Sequence, residues 1–371
     1  MKSVLVSSLD EYSGKTGIIA ALSLILRERG LRVGYFKPFS IGLAGTTGTV
    51  ASTDSTDSAD STDSTDSTDI GGRRNDVRVV DEDAFRIAKI LDEGSHEDLC
   101  PVILEIPYED FVMSCDVHGI RERINEAFKR VSAGKDIVLV EGVLNFRVGR
   151  SIDLCDFCIA EMLNAEILMV VKYRDFVIDD ILYASEHAGF KVLFNQVPVY
   201  KVPHMSVMRS FLERRDIRVV GAIPHDSMLS GLSVYEICEA VGGRFLVKPR
   251  EDIVVEQLLI GAMTPQSAVT YFRRSRNAAV ITGGDRSELH ALALEMPSIK
   301  CIVLTGNLEP PAIIKGVAAS KDKPLIITPD DTLTAVKKID RAFGKTRLHS
   351  MVKIKRMQEF LLKHVRIDEI I

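Results

Sequence analysis

Short apolar runs alternate along this chain with longer stretches whose apolar residues recur at helical spacing. The runs at 4–6, 137–140 and 167–171 carry no charge and are too short to span a bilayer. Such runs are typical of buried parallel strands. The stretches at 18–26 and 176–188 have the spacing and composition of helices. The alternation predicts an α/β fold, a parallel sheet with helices on both faces.

The same pattern continues to about residue 223. Further predicted strands lie at 32–37, 191–194 and 219–223, and further predicted helices lie at 84–91, 159–163 and 205–215. We assign residues 1–245 to this first domain.

A second pattern begins near Asp252, where strand, threonine, turn and helix follow one another three times. The units start at 280, 302 and 325, and Asp330 or Asp331 is a candidate cap for the last helix. They predict a second, smaller α/β domain over 250–345. The tail over 346–371 has helical apolar spacing, and we expect it to pack on the second domain or on a partner chain.

A low-complexity tract interrupts the first domain. Residues 52–69 are six copies of Ser-Thr-Asp or Ser-Ala-Asp, and removing their six aspartates changes the net charge from −5 to +1. The tract has almost nothing to bury, so we expect a disordered surface loop over 42–75. Its period of three lacks the glycine and the final glutamate of a calcium-binding loop. The remainder is nearly neutral, which argues against a nucleic-acid partner.

Composition adds the class of protein. Of 371 residues, 46% are hydrophobic and 27% are charged, which is typical of a soluble globular protein. We expect no signal peptide, no membrane partner and a cytoplasmic location. The six cysteines are scattered, as in a protein with free thiols. Cys155 and Cys158 have metal-ligand spacing, but we expect two half-buried thiols on one helix face rather than zinc.

The strongest chemical signal follows the first strand. Gly14-Lys15-Thr16 opens a helix after a short loop, and this arrangement holds nucleotide phosphates on backbone N–H groups and the lysine ammonium. The usual first glycine of the pattern is replaced by Leu9, and the alternative is a chance surface turn. We predict ATP as the nucleotide, bound by Asp10, Ser13, Gly14, Lys15, Thr16, Gly17 and Asn195.

Other polar residues end neighbouring strands or open helices, and ligands bind at that edge of an open α/β sheet. Thr16, Asp83 and Glu141 are predicted to hold Mg²⁺, although Asp81 or Asp83 could instead cap a helix. Lys37 is the predicted catalytic residue, facing the γ-phosphate or an acidic substrate, and the alternative is a surface salt bridge. Asn195 could bond a purine edge or cap a turn.

These residues resemble the dethiobiotin synthetase family. The resemblance lies in the phosphate loop, Lys37-Pro38, Asp83-Ala84 and Val140-Glu141-Gly142, and it covers about residues 1–245. It implies that Thr16, Asp83 and Glu141 share Mg²⁺, and that Lys15 and Lys37 hold phosphates and a carbamate or carboxylate. The family's glycine-rich stretch after Glu-Gly is replaced here by residues 143–146.

A closer resemblance spans both domains. Residues 219–229, 282–286 and 304–306 resemble the non-catalytic N-terminal half of long bacterial phosphate acetyltransferases, in which a dethiobiotin-synthetase-like domain precedes a DRTGG domain. The glycines at 283, 284 and 306 could also be turn residues only. The acetyltransferase domain of those proteins is not among these 371 residues, so we expect no acetyl transfer by this chain alone.

Two functions are consistent with these features. The first is a regulatory or sensor protein that binds ATP and Mg²⁺ and whose second domain takes an unknown small-molecule effector or mediates homo-oligomer formation. The second is an ATP-dependent ligase, or a weak ATPase, in which a carboxylate or carbamate accepts the γ-phosphoryl group of ATP with help from Lys37.

Overall fold

The structure is a computed structural model, and it describes residues 1–41, 81–92, 96–104, 106–343 and 350–371. The predicted disordered loop over 42–75 lies outside the described residues. The chain divides into two compact units, which are described separately. Unit 1 comprises Met1–Ser7 and Leu26–Ile167, and unit 2 comprises Ser8–Ile25 and Leu168–Ile371.

The described residues form fifteen strands and fifteen α-helices, which alternate through most of the chain. The first group is β1 (Lys2–Ser8), α1 (Lys15–Glu28), β2 (Val33–Phe36), β3 (Ser40–Ile41), α2 (Glu82–Leu91), α3 (His96–Leu99), β4 (Ile103–Leu104), α4 (Tyr108–Ser114), α5 (Val117–Ser132), β5 (Ile137–Glu141) and α6 (Asp156–Met162). The second group is β6 (Glu166–Lys172), α7 (Val177–Ser185), β7 (Lys191–Val197), α8 (Met205–Glu213), β8 (Arg218–Pro224), α9 (Ser227–Ser230), β9 (Leu232–Ser233) and α10 (Val234–Ala240). The third group is β10 (Arg244–Val247), β11 (Val254–Val255), β12 (Gln257–Ile260), α11 (Pro265–Arg274), β13 (Ala278–Gly283), α12 (Ser287–Glu295), β14 (Ile299–Thr305), α13 (Ala312–Ser320), β15 (Leu325–Ile327), α14 (Thr332–Phe343) and α15 (Met351–His364).

In unit 1, β5 lies between β2 and β1, and all three strands are parallel. Their apolar residues are buried, and α5 covers β2 through the Phe36–Phe128 ring pair, whose centroids are 5.3 Å apart. The register sets Val6 beside Glu141 and Phe36 beside Val140. The carboxyl end of β5 is thereby flanked by the residues that lead to the phosphate loop and to Lys37.

In unit 2, β6, β7 and β8 are parallel neighbours, in that order. The register pairs Lys172 with Asn195 and Val197 with Pro224. The carboxyl ends of these strands therefore lie at one edge, as predicted from the apolar runs.

The second sheet, also in unit 2, has the order β10-β15-β14-β13-β12, and only β10 is antiparallel to its neighbour. Successive strand residues point to opposite faces. Val280 and Ile302 pack with residues of α11, α12 and α13, whereas Ile281 and Val303 pack with α10 and α14. Helices thus cover both faces of this sheet, which confirms the predicted fold class.

The tail packs differently from our expectation. Helix α15 lies against β8 and α9, which precede the predicted second domain. Val365 then forms an antiparallel bridge with Gly221, and the N–H of Arg366 donates to the carbonyl oxygen of Val220 at 2.9 Å. The tail thus forms hydrogen bonds with backbone groups of β8. The helical spacing of the tail alone does not predict this partner. None of the described helices combines the length and apolar character of a transmembrane segment.

Candidate nucleotide and metal site

The loop after β1 is closed on itself by two hydroxyl groups. Ser8 Oγ and Ser13 Oγ both donate to the carbonyl oxygen of Asp10, at 2.8 and 2.5 Å. Gly14 then has φ +90°, and a Cβ there would lie 2.7 Å from Asn195 Nδ2. Glycine is required at this point by both the backbone conformation and the space.

Lys15 begins α1 and reaches back across the loop. Its Nζ donates to Ser8 Oγ at 2.7 Å, and only 8% of the residue is exposed. Thr16 is half-buried in the next position and Gly17 is buried. A tight loop with a cation across it, followed by the N-terminus of a 14-residue helix, has the elements of an anion site.

Asn195 supports this loop from β7. The side chain is 3% exposed, its Nδ2 donates to the carbonyl oxygen of Ser13 at 2.8 Å, and its Oδ1 accepts from the N–H of Gln196. We had predicted contact with a purine edge or a turn cap. In this structure the amide holds the backbone just before Gly14, and the contact with a base stays a prediction.

Arg174 is a loop partner that the sequence analysis missed. Its Nε donates to Asp10 Oδ2 at 3.1 Å, and its Nη2 lies 2.6 Å from Asp180 Oδ2. The hydrogen bond with Asp10 raises the pKa of Arg174. The pair ties the phosphate loop to the segment after β6.

A second charged cluster lies in unit 1, around Lys37. Its Nζ is 2.9 and 3.0 Å from the two carboxylate oxygens of Asp81 and 3.3 Å from Asp83 Oδ2. Asp81 also accepts from Ser40 Oγ at 2.5 Å and from the N–H of Ala84 at 2.9 Å, so it caps α2 as one of our alternatives proposed. The side chains of Lys37 and Asp81 are each only 10% exposed, so this pair is a buried one rather than a surface salt bridge.

Burial and charge act in opposite directions on this pair. Burial alone would lower the pKa of Lys37, but the carboxylates of Asp83, Asp81 and Glu141 raise it well above its ordinary value. Burial would raise the pKa of Asp81, but Lys37 and the hydrogen bond from Ser40 lower it. Both groups therefore stay charged.

Glu141 ends β5 and is 3% exposed. Tyr35 OH donates to Glu141 Oε2 at 2.6 Å. The pKa of Tyr35 is raised, mainly by burial and next by the charge of Glu141. Two carboxylates, those of Asp81 and Asp83, thus contact the Lys37 ammonium, and the charge of Glu141 also acts on it. The excess negative charge and the hard oxygen donors fit a divalent cation such as Mg²⁺.

The carboxylates do not form a metal cage by themselves. Among the described residues, no three His, Cys, Asp or Glu side chains converge on a common metal position. Mg²⁺ commonly uses one or two carboxylates together with phosphate oxygens and water. Asp83 and Glu141 fit that pattern of ligation.

Asp156, the first residue of α6, is a further residue that the sequence analysis missed. It is 1% exposed, accepts from Ser7 Oγ at 2.5 Å and accepts from the N–H of Val143 at 3.1 Å. A Cβ on Gly142 would lie 2.3 Å from Asp156 Oδ2. Asp156 therefore joins the end of β1 to the turn that follows Glu141.

Comparisons with known proteins found matches to two consecutive parts of the chain. A family model described as an AAA domain matches residues 2–233, and one described as a DRTGG domain matches residues 236–342. A phosphate acetyltransferase of Pseudomonas putida is 22% identical over 326 residues, which are 83% of this chain and 41% of the relative. A phosphate acetyltransferase of Synechocystis is 28% identical over 242 residues, which are 58% of this chain and 34% of the relative. The chain therefore matches well under half of the length of these relatives.

Two kinds of solved structure are similar over parts of the chain. The MinC:MinD cell division complex of Aquifex aeolicus has a TM-score of 0.34 and 17% identity, covering 62% of this chain and 84% of that chain. The CBS and DRTGG domains of Clostridium perfringens pyrophosphatase, complexed with the activator diadenosine tetraphosphate, have a TM-score of 0.28 and 18% identity. They cover 36% of this chain and 68% of that chain. With its matched P-loop region spanning more than half of its length, the chain belongs to the AAA domain family and carries a DRTGG domain after the AAA domain.

Proposed function

We propose that this protein is an ATP- and Mg²⁺-binding regulatory protein, in which the P-loop domain binds the nucleotide and the DRTGG domain responds to a small-molecule effector. The observation that carries the proposal is Lys15, whose ammonium is held 2.7 Å from Ser8 Oγ across a loop closed by Ser13 and Gly14. A lysine ammonium that lies across such a loop, beside the N-terminus of a helix, is the arrangement that binds the phosphates of a nucleotide.

Mg²⁺ is part of the proposal, with Thr16, Asp83 and Glu141 as its ligands. The support for Glu141 is its buried carboxylate at the carboxyl end of β5, the edge of the sheet at which ligands bind in open α/β folds. When bound, the metal would neutralise charge on the phosphates. The same excess of carboxylates supports a divalent rather than a monovalent ion.

The state of Lys37 favours regulation over catalysis. A ligase needs a cation free to stabilise the charge that develops on a transferred phosphoryl group. Here Asp81 contacts Lys37 through both oxygens, and Asp83 approaches it at 3.3 Å. Its charge is already compensated by the protein.

A ligase is the second candidate, and one observation favours it. Asp83 makes the longest of these contacts, and its side chain is 29% exposed, whereas that of Asp81 is 10% exposed. A bound Mg²⁺ that draws Asp83 away would leave Lys37 with one partner and available to an acidic substrate. Acetyl transfer is not part of either proposal. The homo-oligomer and the cytoplasmic location stay predictions.

ADP release separates the two functions. Purified protein is incubated with ATP, Mg²⁺ and a panel of amines and carboxylic acids. Regulation predicts tight ATP binding with no ADP release that depends on an added acid or amine. A ligase predicts release with particular members of the panel, and its loss in the double variant Lys37→Met/Asp81→Asn, which removes both charges of the Lys37–Asp81 pair. Absence of ATP binding by the wild type would contradict both.

A further inference from the structure

Cys155 and Cys158 form a close thiol pair at the start of α6. Their sulfur atoms are 3.2 Å apart, with Cys155 directly before the helix and Cys158 within it. Cys155 is buried, and Cys158 is half-buried. The prediction of two half-buried thiols on one helix face holds for Cys158, whereas Cys155 is buried and lies just before the helix.

The pair does not belong to a metal site in the part of the chain that the structure describes. Among the residues that the structure describes, no third His, Cys, Asp or Glu joins these sulfurs in a cluster that could hold a metal. The acid between them, Asp156, is engaged with Ser7 and Val143. A structural zinc site normally needs four ligands.

We propose that Cys155 and Cys158 are a reversible modification site, at which exchange with a small-molecule disulfide such as oxidised glutathione closes an intramolecular disulfide. Residues three apart at the start of a helix have a Cα separation that a disulfide can bridge. The sulfur atoms already face each other, so closure needs only a small movement of the turn. Two such thiols in one turn are also the arrangement found in dithiol redox motifs.

The order of the steps follows from exposure. The Cys158 thiolate attacks one sulfur of the glutathione disulfide, the sulfur–sulfur bond breaks, and one glutathione thiolate leaves. Cys155 then loses its proton to solvent and attacks Cys158 Sγ, which expels the second glutathione thiolate. Two protein thiols are oxidised, one glutathione disulfide is reduced, and the released thiolates take up the two protons.

Arg150 supports Cys158 as the first nucleophile. Its Nη1 lies 3.7 Å from Cys158 Sγ and stabilises negative charge there. Burial and the neighbouring Cys155 raise the pKa of Cys158, and Arg150 opposes both. Removal of the guanidinium, in Arg150→Gln, is therefore expected to slow the first exchange step.

Formation of the disulfide also affects Asp156, which lies between the two cysteines in the sequence. Its carboxylate joins Ser7, the residue before the phosphate loop, to the turn after Glu141. Drawing the two sulfurs from 3.2 Å to bonding distance shifts the backbone turn that carries Asp156. We infer that oxidation weakens the binding of ATP and Mg²⁺, and this second step rests on the proposed function.

The test is the intact mass of the full chain in glutathione buffers of increasing oxidised fraction, with peptide mapping. The wild type should lose two hydrogens, with the bond mapped to Cys155 and Cys158, and dithiothreitol should restore the mass. Cys155→Ser should stop at a glutathione adduct on Cys158, while the matched control Cys115→Ser should behave as the wild type. Absence of the two-hydrogen loss from the wild type, or a bond mapped to other cysteines, overturns the proposal without any variant.

ATP affinity of the reduced and oxidised chain tests the second step separately. Weaker binding after oxidation, restored by dithiothreitol, is the expected result. Equal affinity overturns the link through Asp156. If neither form binds ATP, the proposed function fails while the mass result still decides the modification site.

Discussion

The two parallel sheets of this protein present glycine-containing turns at the carboxyl ends of their strands, but the chemistry at those ends differs. In the P-loop domain, Lys15 crosses the loop, and Lys37, Asp81 and Glu141 are buried charges. In the DRTGG domain, buried threonines end three of the strands: Thr282 donates to Gly261, Thr305 contacts Thr332 and Thr328 donates to Val241. A shared architecture therefore does not bring a shared site, because the side chains at the strand ends differ between the two.

The glycines of the two regions also differ in purpose. Gly14 turns the chain with φ +90° directly before Lys15. Gly284 instead lies where the backbone of the next turn approaches, since a Cβ there would be 1.8 Å from the carbonyl oxygen of Leu308. The turn-only alternative fits Gly284, whose role is close packing.

The largest stability change is expected from breaking the buried charge of the first region. Asp81→Asn leaves Lys37 without its main partner, and removing one member of a buried pair costs about 3 to 5 kcal/mol. Urea unfolding measures the loss. The neighbouring Glu82→Gln, which breaks a pair with half-exposed Arg86, should cost below about 0.5 kcal/mol. Similar losses from both variants would contradict the role of burial.

A smaller loss is expected from the packing glycine of the second region. Gly284→Ala forces a methyl group against the Leu308 carbonyl, and overpacking of this kind costs about 1 to 3 kcal/mol. The variant should still bind ATP as the wild type does, because the phosphate loop is untouched. Denaturation and ATP titration of the same sample check both statements. A loss of ATP affinity with stability unchanged would assign Gly284 to a ligand site.

The pH dependence of the free energy of unfolding should also differ between the two regions. Burial lowers the pKa of His290 below 6.5. The contribution of His290 to the free energy of unfolding is therefore complete above pH 6.5 and is lost as the pH falls through the lowered pKa. Burial would raise the pKa of Asp81, but the charge of Lys37 lowers it below 3.8. The contribution of Asp81 to the free energy of unfolding is therefore lost only in stronger acid. His290→Gln should flatten the first part of the stability profile in acid, and Asp81→Asn the second. Parallel profiles for wild type and His290→Gln would remove the first assignment.

The smallest expected effect has the opposite sign. Gly316 lies within α13, and nothing stands within 4 Å of a Cβ built there. Gly316→Ala should therefore stabilise the protein by about 0.5 to 1 kcal/mol. The shift in the urea midpoint measures it against Gly284→Ala. A destabilised Gly316→Ala would mean that free space around a glycine does not decide the outcome in this domain.

The alternation of strands and helices and the phosphate loop could both be predicted from the sequence, because each depends on a pattern of residues that are close together along the chain. The sequence was insufficient for the partners that complete the site. Tyr35 bonds Glu141 across 106 positions, Ser7 bonds Asp156 across 149, and Arg174 bonds Asp10 across 164. Such pairs depend on strand order, which one sequence does not specify. The contacts of the tail with β8 and α9 were not predicted for the same reason, since its amphipathic pattern shows that one face is buried but does not identify the residues that cover it.

The most direct test of the account is a calorimetric titration of ATP with Mg²⁺ into the wild type, Lys15→Ala and the exposed control Lys129→Ala. The wild type and Lys129→Ala should bind one nucleotide per chain with equal affinity. Lys15→Ala should bind at least about 30-fold more weakly, since a hydrogen bond to a charged group contributes about 2 kcal/mol. Equal affinity in all three proteins, or no binding by the wild type, would contradict a nucleotide site at the loop that Lys15 closes.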